Sequence, residues 1–191
     1  MNRNLIILLL IFLSKLSNAQ QELLSFDEHN KYIYYGVNEM QGLSADTLHN
    51  RGLLFLKTLF PRVVFKSPLK NINILCDGKF LTYSGSSVFK HEQGEVNYSL
   101  NIEFKDEKYR FWLTNFTYIP YERDRYGNFV PKLGKEMALE SINNELSKKE
   151  SDAYLNETGL FCKQFAERLK IYLLNIPKKE EKLKKIVTDK W

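Results

Sequence analysis

KDEKYRFWLTNFTYIPYERDRYGNFVP, residues 105–131, joins the densest aromatic content of the chain to its densest mixed charge. The spacing predicts a strand over 108–118 that runs into a long, charged, aromatic loop. Successive strand residues point to opposite faces. Tyr109, Phe111 and Leu113 should therefore lie on one side and Arg110, Trp112, Phe116 and Tyr118 on the other. A strand that is aromatic on both faces needs a cover for the second face, or a ligand on it.

The residues just before this stretch show what the first face packs against. Over 96–105, Val96, Tyr98, Leu100, Ile102 and Phe104 alternate with Asn97, Ser99, Asn101, Glu103 and Lys105, and Asp106-Glu107 forms a tight connection into the next strand. One dry side and one wet side is the pattern of an antiparallel sheet covered on a single face. Further upstream, 72–76 reads as a short strand turned at Asp77-Gly78. A second strand over 80–89 has Leu81, Tyr83 and Phe89 on one face, and Gly94 turns the chain again. KYIYYGV at 31–37 is another strand. Between these, Ser44 is a good N-cap with Asp46 in the first turn, and Leu48, Gly52, Phe55, Leu56 and Leu59 recur at helical spacing until Pro61. Gly52 lets this helix approach the sheet closely.

Downstream, 120–134 reads as a polar aromatic loop with a turn at Tyr126-Gly127-Asn128 between extended arms. Residues 135–150 read helical with Met137, Ile142 and Leu146 inward. A longer helix over 152–176 carries the stripe Leu155, Cys162, Phe165, Leu169, Tyr172 and Ile176, ended by Pro177. The fold class is α+β, an antiparallel sheet packed against an amphipathic helix and followed by C-terminal helices. The domain spans 31–134, the helical extension 135–177 and a basic tail 178–191.

The start of the chain is read as an address. Arg3, an apolar run from Leu5 to Leu13 and Ser17-Asn18-Ala19 form a secretory signal peptide over 1–19, with a polar lead over 20–30. The run is far shorter than the ~20 residues that cross a bilayer, so no transmembrane segment is expected after cleavage. The expected location is periplasmic or secreted. Arg3, Lys15 and the tail's six lysines, set against Glu180, Glu181 and Asp189, account for the whole net charge of +5. A neutral domain lacks the electrostatic footprint of nucleic-acid binding, which excludes that partner. Cys76 and Cys162 have no Cys or His within four residues, so no metal or other cofactor is expected. Two buried thiols and a long-range disulfide both remain open for them.

The strand, the helix SADTLHNRGLLFLKTLF and the acidic turn with its aromatic strand FKDEKYRFWLTNF together resemble a bacterial exported family, domain of unknown function 4468, over about 31–118. That resemblance implies a TATA-binding-protein-like (TBP-like) fold and carries no catalytic residues over. The function expected is a non-enzymatic binding or structural module of the cell envelope, its partner another envelope protein or a glycan. Its candidate surface is Arg110, Trp112, Phe116, Tyr118, Tyr121, Arg123, Arg125 and Tyr126. Two alternatives stay open. One is a hydrolase of envelope or glycan material using Glu122 and Asp124, which two extended residues set about 6.5 Å apart. The other is a carrier of a small apolar ligand between sheet and helices. His29, His49 and His91 have no neighbour at ligand spacing and are read as solvent-facing, and oligomeric state is left open.

Overall fold

The computed structural model describes residues 23–66, 73–84 and 91–175. The signal peptide, the start of the polar lead, Ile72, Phe89, Ile176, Pro177 and the tail 178–191 lie outside the described residues. Strands β1 (Ser25–Phe26), β2 (Tyr32–Glu39), β3 (Val64–Phe65), β4 (Asn73–Ser84), β5 (His91–Lys105) and β6 (Lys108–Arg123) form one antiparallel sheet in the order β1-β2-β6-β5-β4-β3. Two short strands, β7 (Phe129–Pro131) and β8 (Met137–Ala138), add to β6. A 3-10 segment, Leu139–Asn144, leads to the C-terminal helix α2 (Lys148–Leu174), and α1 (Ala45–Leu59) lies between β2 and β3.

Val96, Tyr98, Leu100, Ile102 and Phe104 are all buried, as the alternation of β5 requires. They form one layer with Tyr109, Phe111 and Leu113 of β6. Helix α1 starts where expected, because Ser44 accepts a bond from the Thr47 backbone N–H at 3.3 Å. The acidic turn between β5 and β6 reinforces that start. Asp106 accepts from the Ala45 N–H and Glu107 from the Gly42 N–H, each at 2.9 Å, placing two carboxylates on the positive end of the helix. Leu48, Gly52, Phe55 and Leu56 face the sheet. A Cβ on Gly52 would stand 2.7 Å from Phe104 Cζ, so the close approach depends on the missing side chain.

Helix α2 packs beside α1 on the same face of the sheet. The Phe165 ring lies 5.5 Å from Phe55 and 6.4 Å from Phe111, and Phe161 stacks on Phe80 at 4.1 Å. The opposite face of the sheet therefore has neither helix on it.

Several expectations fail, each for a local reason. Asp77-Gly78 is no turn: β4 runs straight through it, and Gly78 leaves room for the Tyr98 side chain, which lies where its Cβ would be. With the strand unbroken, Ile74, Cys76 and Thr82 point inward, while Leu81 is half-buried and Tyr83 exposed. Gly94 likewise sits inside β5, beneath Tyr118. Leu59, at the end of α1, is exposed. Residues 135–150 do not form the continuous helix expected, because Met137 and Ala138 pair with Tyr118 and Thr117 of β6; the 3-10 segment Leu139–Asn144 is helical and buries Ile142 as expected. The α-helix itself begins at the capping box of Ser147 and Glu150, four residues earlier than expected for the last helix. Tyr154 and Leu173 are buried in α2, while Leu155 and Tyr172 are only half-buried. Cys76 and Cys162 are separate buried thiols, and burial pushes the Cys76 thiol up to about 12.

The largest correction concerns β6. Asn97 pairs with Thr117 and Ser99 with Thr114, so β6 holds one extra residue there, and Asn115 adopts φ 54°, in the left-handed region. A β-bulge of this kind shifts the inside–outside alternation by one position. Odd residues point inward before Asn115 and even ones after it. Phe116 and Tyr118 consequently belong to the core, at 0% and 2% exposure, rather than to the second face.

Candidate functional site

The face without helices is built from residues that alternate with the core. Strand register arranges them in rows across the sheet: Tyr35, Trp112, Asn101 and Leu75 in one, Val37, Arg110, Glu103 and Asn73 in the next. Tyr35 is 53% and Val37 55% exposed, and Trp112 is half-buried. The Arg110 guanidinium lies 5.6 Å from the Trp112 ring and donates from Nε to Glu103 Oε2 at 2.6 Å. This fixes the orientation of both side chains.

Beyond Trp112 the face becomes polar. Thr114, Ser99, Asp77 and Val64 form a third row, and Asn97 and Lys79 a fourth. A shallow depression of about 350 Å³ lies here, lined by Arg62, Val64, Asp77, Lys79, Asn97, Ser99 and Asn115 with Gly78 and Tyr98 between them. One wall is held by Asp77, which pairs with Lys66 Nζ at 2.6 Å and accepts from Ser99 Oγ at 2.8 Å. The other is held by Glu95, only 4% exposed, whose Oε2 receives Lys79 Nζ at 2.7 Å and the Tyr121 hydroxyl at 2.9 Å. Desolvation and the bond to Glu95 push the Tyr121 hydroxyl well above its ordinary range, so it stays a donor.

The expected surface is thus divided. Arg110 and Trp112 are on the open face, and Tyr121 is half-buried against Glu95 at its far end. Arg123 and Arg125 lie over the rings of Phe129 and Tyr126, each at 4.9 Å, at the tip of the β6–β7 hairpin, where Tyr126 is 74% exposed. Phe116 and Tyr118 are removed from the surface by the bulge; Tyr118 sits under α2, its hydroxyl 2.8 Å from that of Tyr154. Glu122 and Asp124 do not converge on a pocket. Glu122 faces Lys132 at 3.4 Å, while Asp124 ties the hairpin turn by accepting from the backbone N–H groups of Tyr126 and Asn128 at 2.8 Å. Desolvation opposes these bonds at Asp124 and is outweighed, leaving its carboxyl below the usual range, the wrong direction for a general acid. His49 is not solvent-facing: it packs edge-on against Phe104, 5.8 Å away. Among the described residues no three His, Cys, Asp or Glu side chains come together as metal ligands, and no helix is long and apolar enough to cross a membrane.

Sequence reasoning missed Tyr35, Val37, Arg62, Lys79 and Glu95. The wet positions Asn97, Ser99 and Asn101 of β5 were a usable signal, because whatever shares their face by register is also out of the core. Arg62, in the turn after α1, left no such signal.

Residues 34–119 match the model of a family described as a domain of unknown function (DUF4468) with TBP-like fold. Two crystal structures resemble the chain. A TBP-like protein from Parabacteroides distasonis matches with a TM-score of 0.62 and 17% identity, covering 81% of this chain and 99% of that one. A DUF4468 family protein from Bacteroides ovatus matches with a TM-score of 0.57 and 12% identity, covering 83% of this chain and 95% of that one. At these identities the likeness shows the fold alone. No curated protein matches the chain.

Proposed function

We propose, for a chain whose residues 34–119 match the model of this family, a role as an exported, non-enzymatic binding module whose ligand lies across the open face of the sheet. One observation carries the reading. Both helices pack on the same side, leaving Tyr35, Val37, Arg110 and Trp112 accessible on the other, with Trp112 held in place by Arg110. Pre-oriented aromatic and arginine side chains are the groups most often responsible for binding energy at protein surfaces. Export is supported by the apolar run and the Ser17-Asn18-Ala19 site, and it makes envelope protein or glycan the relevant partner class.

The test is capture from a solubilised envelope fraction by the mature chain and by Trp112→Ala. The variant should still fold, with a melting temperature about 2–8 °C below the parent's, and lose most of the captured material. Equal capture by a folded Trp112→Ala protein would refute the use of this face. N-terminal sequencing of the exported chain should begin at Gln20, and a Met1 start would remove the export part of the reading.

A further inference from the structure

We infer that the depression beside Trp112 is a subsite for a carboxylate-bearing sugar, so that the ligand of the open face is an acidic saccharide. The inference rests on the binding role proposed above and specifies its ligand. Its first support is which groups in the depression are already satisfied. Lys66 and Lys79 are neutralised by Asp77 and Glu95, and Ser99 donates to Asp77. The Asn115 carbonyl oxygen Oδ1 is taken by Lys31 Nζ at 2.6 Å. What remains is mainly donors: the Arg62 guanidinium and the Asn97 amide N–H groups, neither hydrogen-bonded nor ion-paired to the described residues, and the amide N–H groups of Asn115, beside the single neutral acceptor Asn97 Oδ1. A lining that offers unpaired donors and one uncompensated guanidinium selects an acceptor-rich anion, and the planar fork of Arg62 matches a carboxylate.

The second support is shape and rigidity. About 350 Å³ is at the low end of the ~300–1,000 Å³ typical of small-molecule pockets, which suits a ring-sized unit. Asn101 and Trp112 lie on the same face, roughly 7 Å from Ser99 and Thr114 at two residues of strand rise. A chain of linked rings can therefore continue from the depression onto an aromatic platform. The walls are set beforehand: the buried Glu95 fixes Lys79 and Tyr121, Asp77 fixes Lys66 and Ser99, and the bulge presents Asn115. Amide and hydroxyl side chains placed on rigid strands are suited to sugar hydroxyls beside the acid group, and a pre-set site avoids the entropy of ordering them.

The experiment titrates the mature full-length chain with oligogalacturonate, with an uncharged maltooligosaccharide of equal length and with inorganic phosphate. Oligogalacturonate should bind, with affinity falling as salt rises. The maltooligosaccharide and phosphate should bind at least about tenfold more weakly, as expected when a charge-assisted pair or the sugar contacts are missing. Arg62→Ala, a change at an exposed side chain that leaves the fold intact, should weaken oligogalacturonate binding about ten- to a hundredfold, and Arg62→Lys should recover part of it. Equal binding of the uncharged oligomer, lost in Trp112→Ala, would overturn acid selectivity while leaving the open face as the binding surface. Phosphate binding as tight as that of the oligomer would overturn the saccharide assignment. Undiminished oligogalacturonate binding by Arg62→Ala, or none by the parent protein, would overturn the subsite, whereas the envelope capture with Trp112→Ala decides the broader reading independently.

Discussion

Truncating two aromatic residues four positions apart in β6 separates the bulged strand from a regular one. In a regular strand Trp112 and Phe116 share a face, and Phe116→Ala and Trp112→Ala should have comparable effects. With the bulge at Asn115, Phe116 is fully buried among the core residues and Trp112 lies half-buried on the opposite side. Phe116→Ala should then cost about 3–5 kcal/mol, the usual loss for a fully buried ring. Trp112→Ala forfeits the stacking of Arg110, about 0.5–1 kcal/mol, and a cross-strand pair with Tyr35, about 0.2–1 kcal/mol, so its total is roughly 1–2 kcal/mol. For a chain of this size each kcal/mol lowers Tm by about 2–4 °C, which predicts a drop of roughly 6–20 °C for Phe116→Ala against about 2–8 °C for Trp112→Ala. Urea unfolding followed by far-ultraviolet circular dichroism reads both without relying on the tryptophan signal. Losses equal within error at the two positions would refute the switch of faces and, with it, the open aromatic face.

Three further outcomes test the parts that position the site. Asn115→Gly should hold stability within about 1 kcal/mol, because glycine adopts φ 54° freely, while the β-branched Asn115→Val should cost more than the ~1–2 kcal/mol typical of left-handed backbone, read as a shift in the urea midpoint. Gly52→Ala would ordinarily gain about 1 kcal/mol in a helix, but its Cβ would meet Phe104 at 2.7 Å, so a net loss of roughly 1–2 kcal/mol is expected and a gain would show that the contact yields. Burial holds the His49 pKa below its ordinary value against the opposing pull of Asp46, and its Nε2 is buried without a hydrogen-bond partner among the described residues. The unfolded chain thus takes up the proton first: the stabilisation is complete above about pH 6.5 and declines as pH falls through the folded value, so His49→Gln should flatten the loss of Tm between pH 7 and 5.

How much of this was legible follows from the range of the interactions concerned. The β5 alternation, the Ser44 cap and the α1 stripe as far as Leu56 are set by residues within a turn or two of each other, and they appear as read. The same short range misled at Asp77-Gly78 and Gly94. Glycine there accommodates the rings of Tyr98 and Tyr118 from neighbouring strands rather than a reversal of the chain. Residues 135–150 show the opposite failure: a pattern compatible with a helix is overridden because Met137 and Ala138 complete the edge of β6. The resemblance read from the acidic turn and the aromatic strand agrees with the family model that matches 34–119, and both features are built into the start of α1 and the core.

The candidate site was only partly visible because it depends on parity, and parity is lost at a single residue. Up to Thr114 the odd–even reading of β6 is correct, which places Arg110 and Trp112 on the open face. One left-handed asparagine then exchanges the faces, moving Phe116 and Tyr118 inward, where Tyr118 meets α2, and Tyr121 outward to meet Glu95. Nothing in FWLTNFTY distinguishes a bulge from a regular strand locally; asparagine merely tolerates the conformation it requires. The information lies in the partner strand, where Asn97 and Ser99 are two residues apart while their partners Thr117 and Thr114 are three apart. The same extra residue brings Asn115 to the lining of the depression, so the irregularity that defeated the sequence reading also supplies part of the polar pocket.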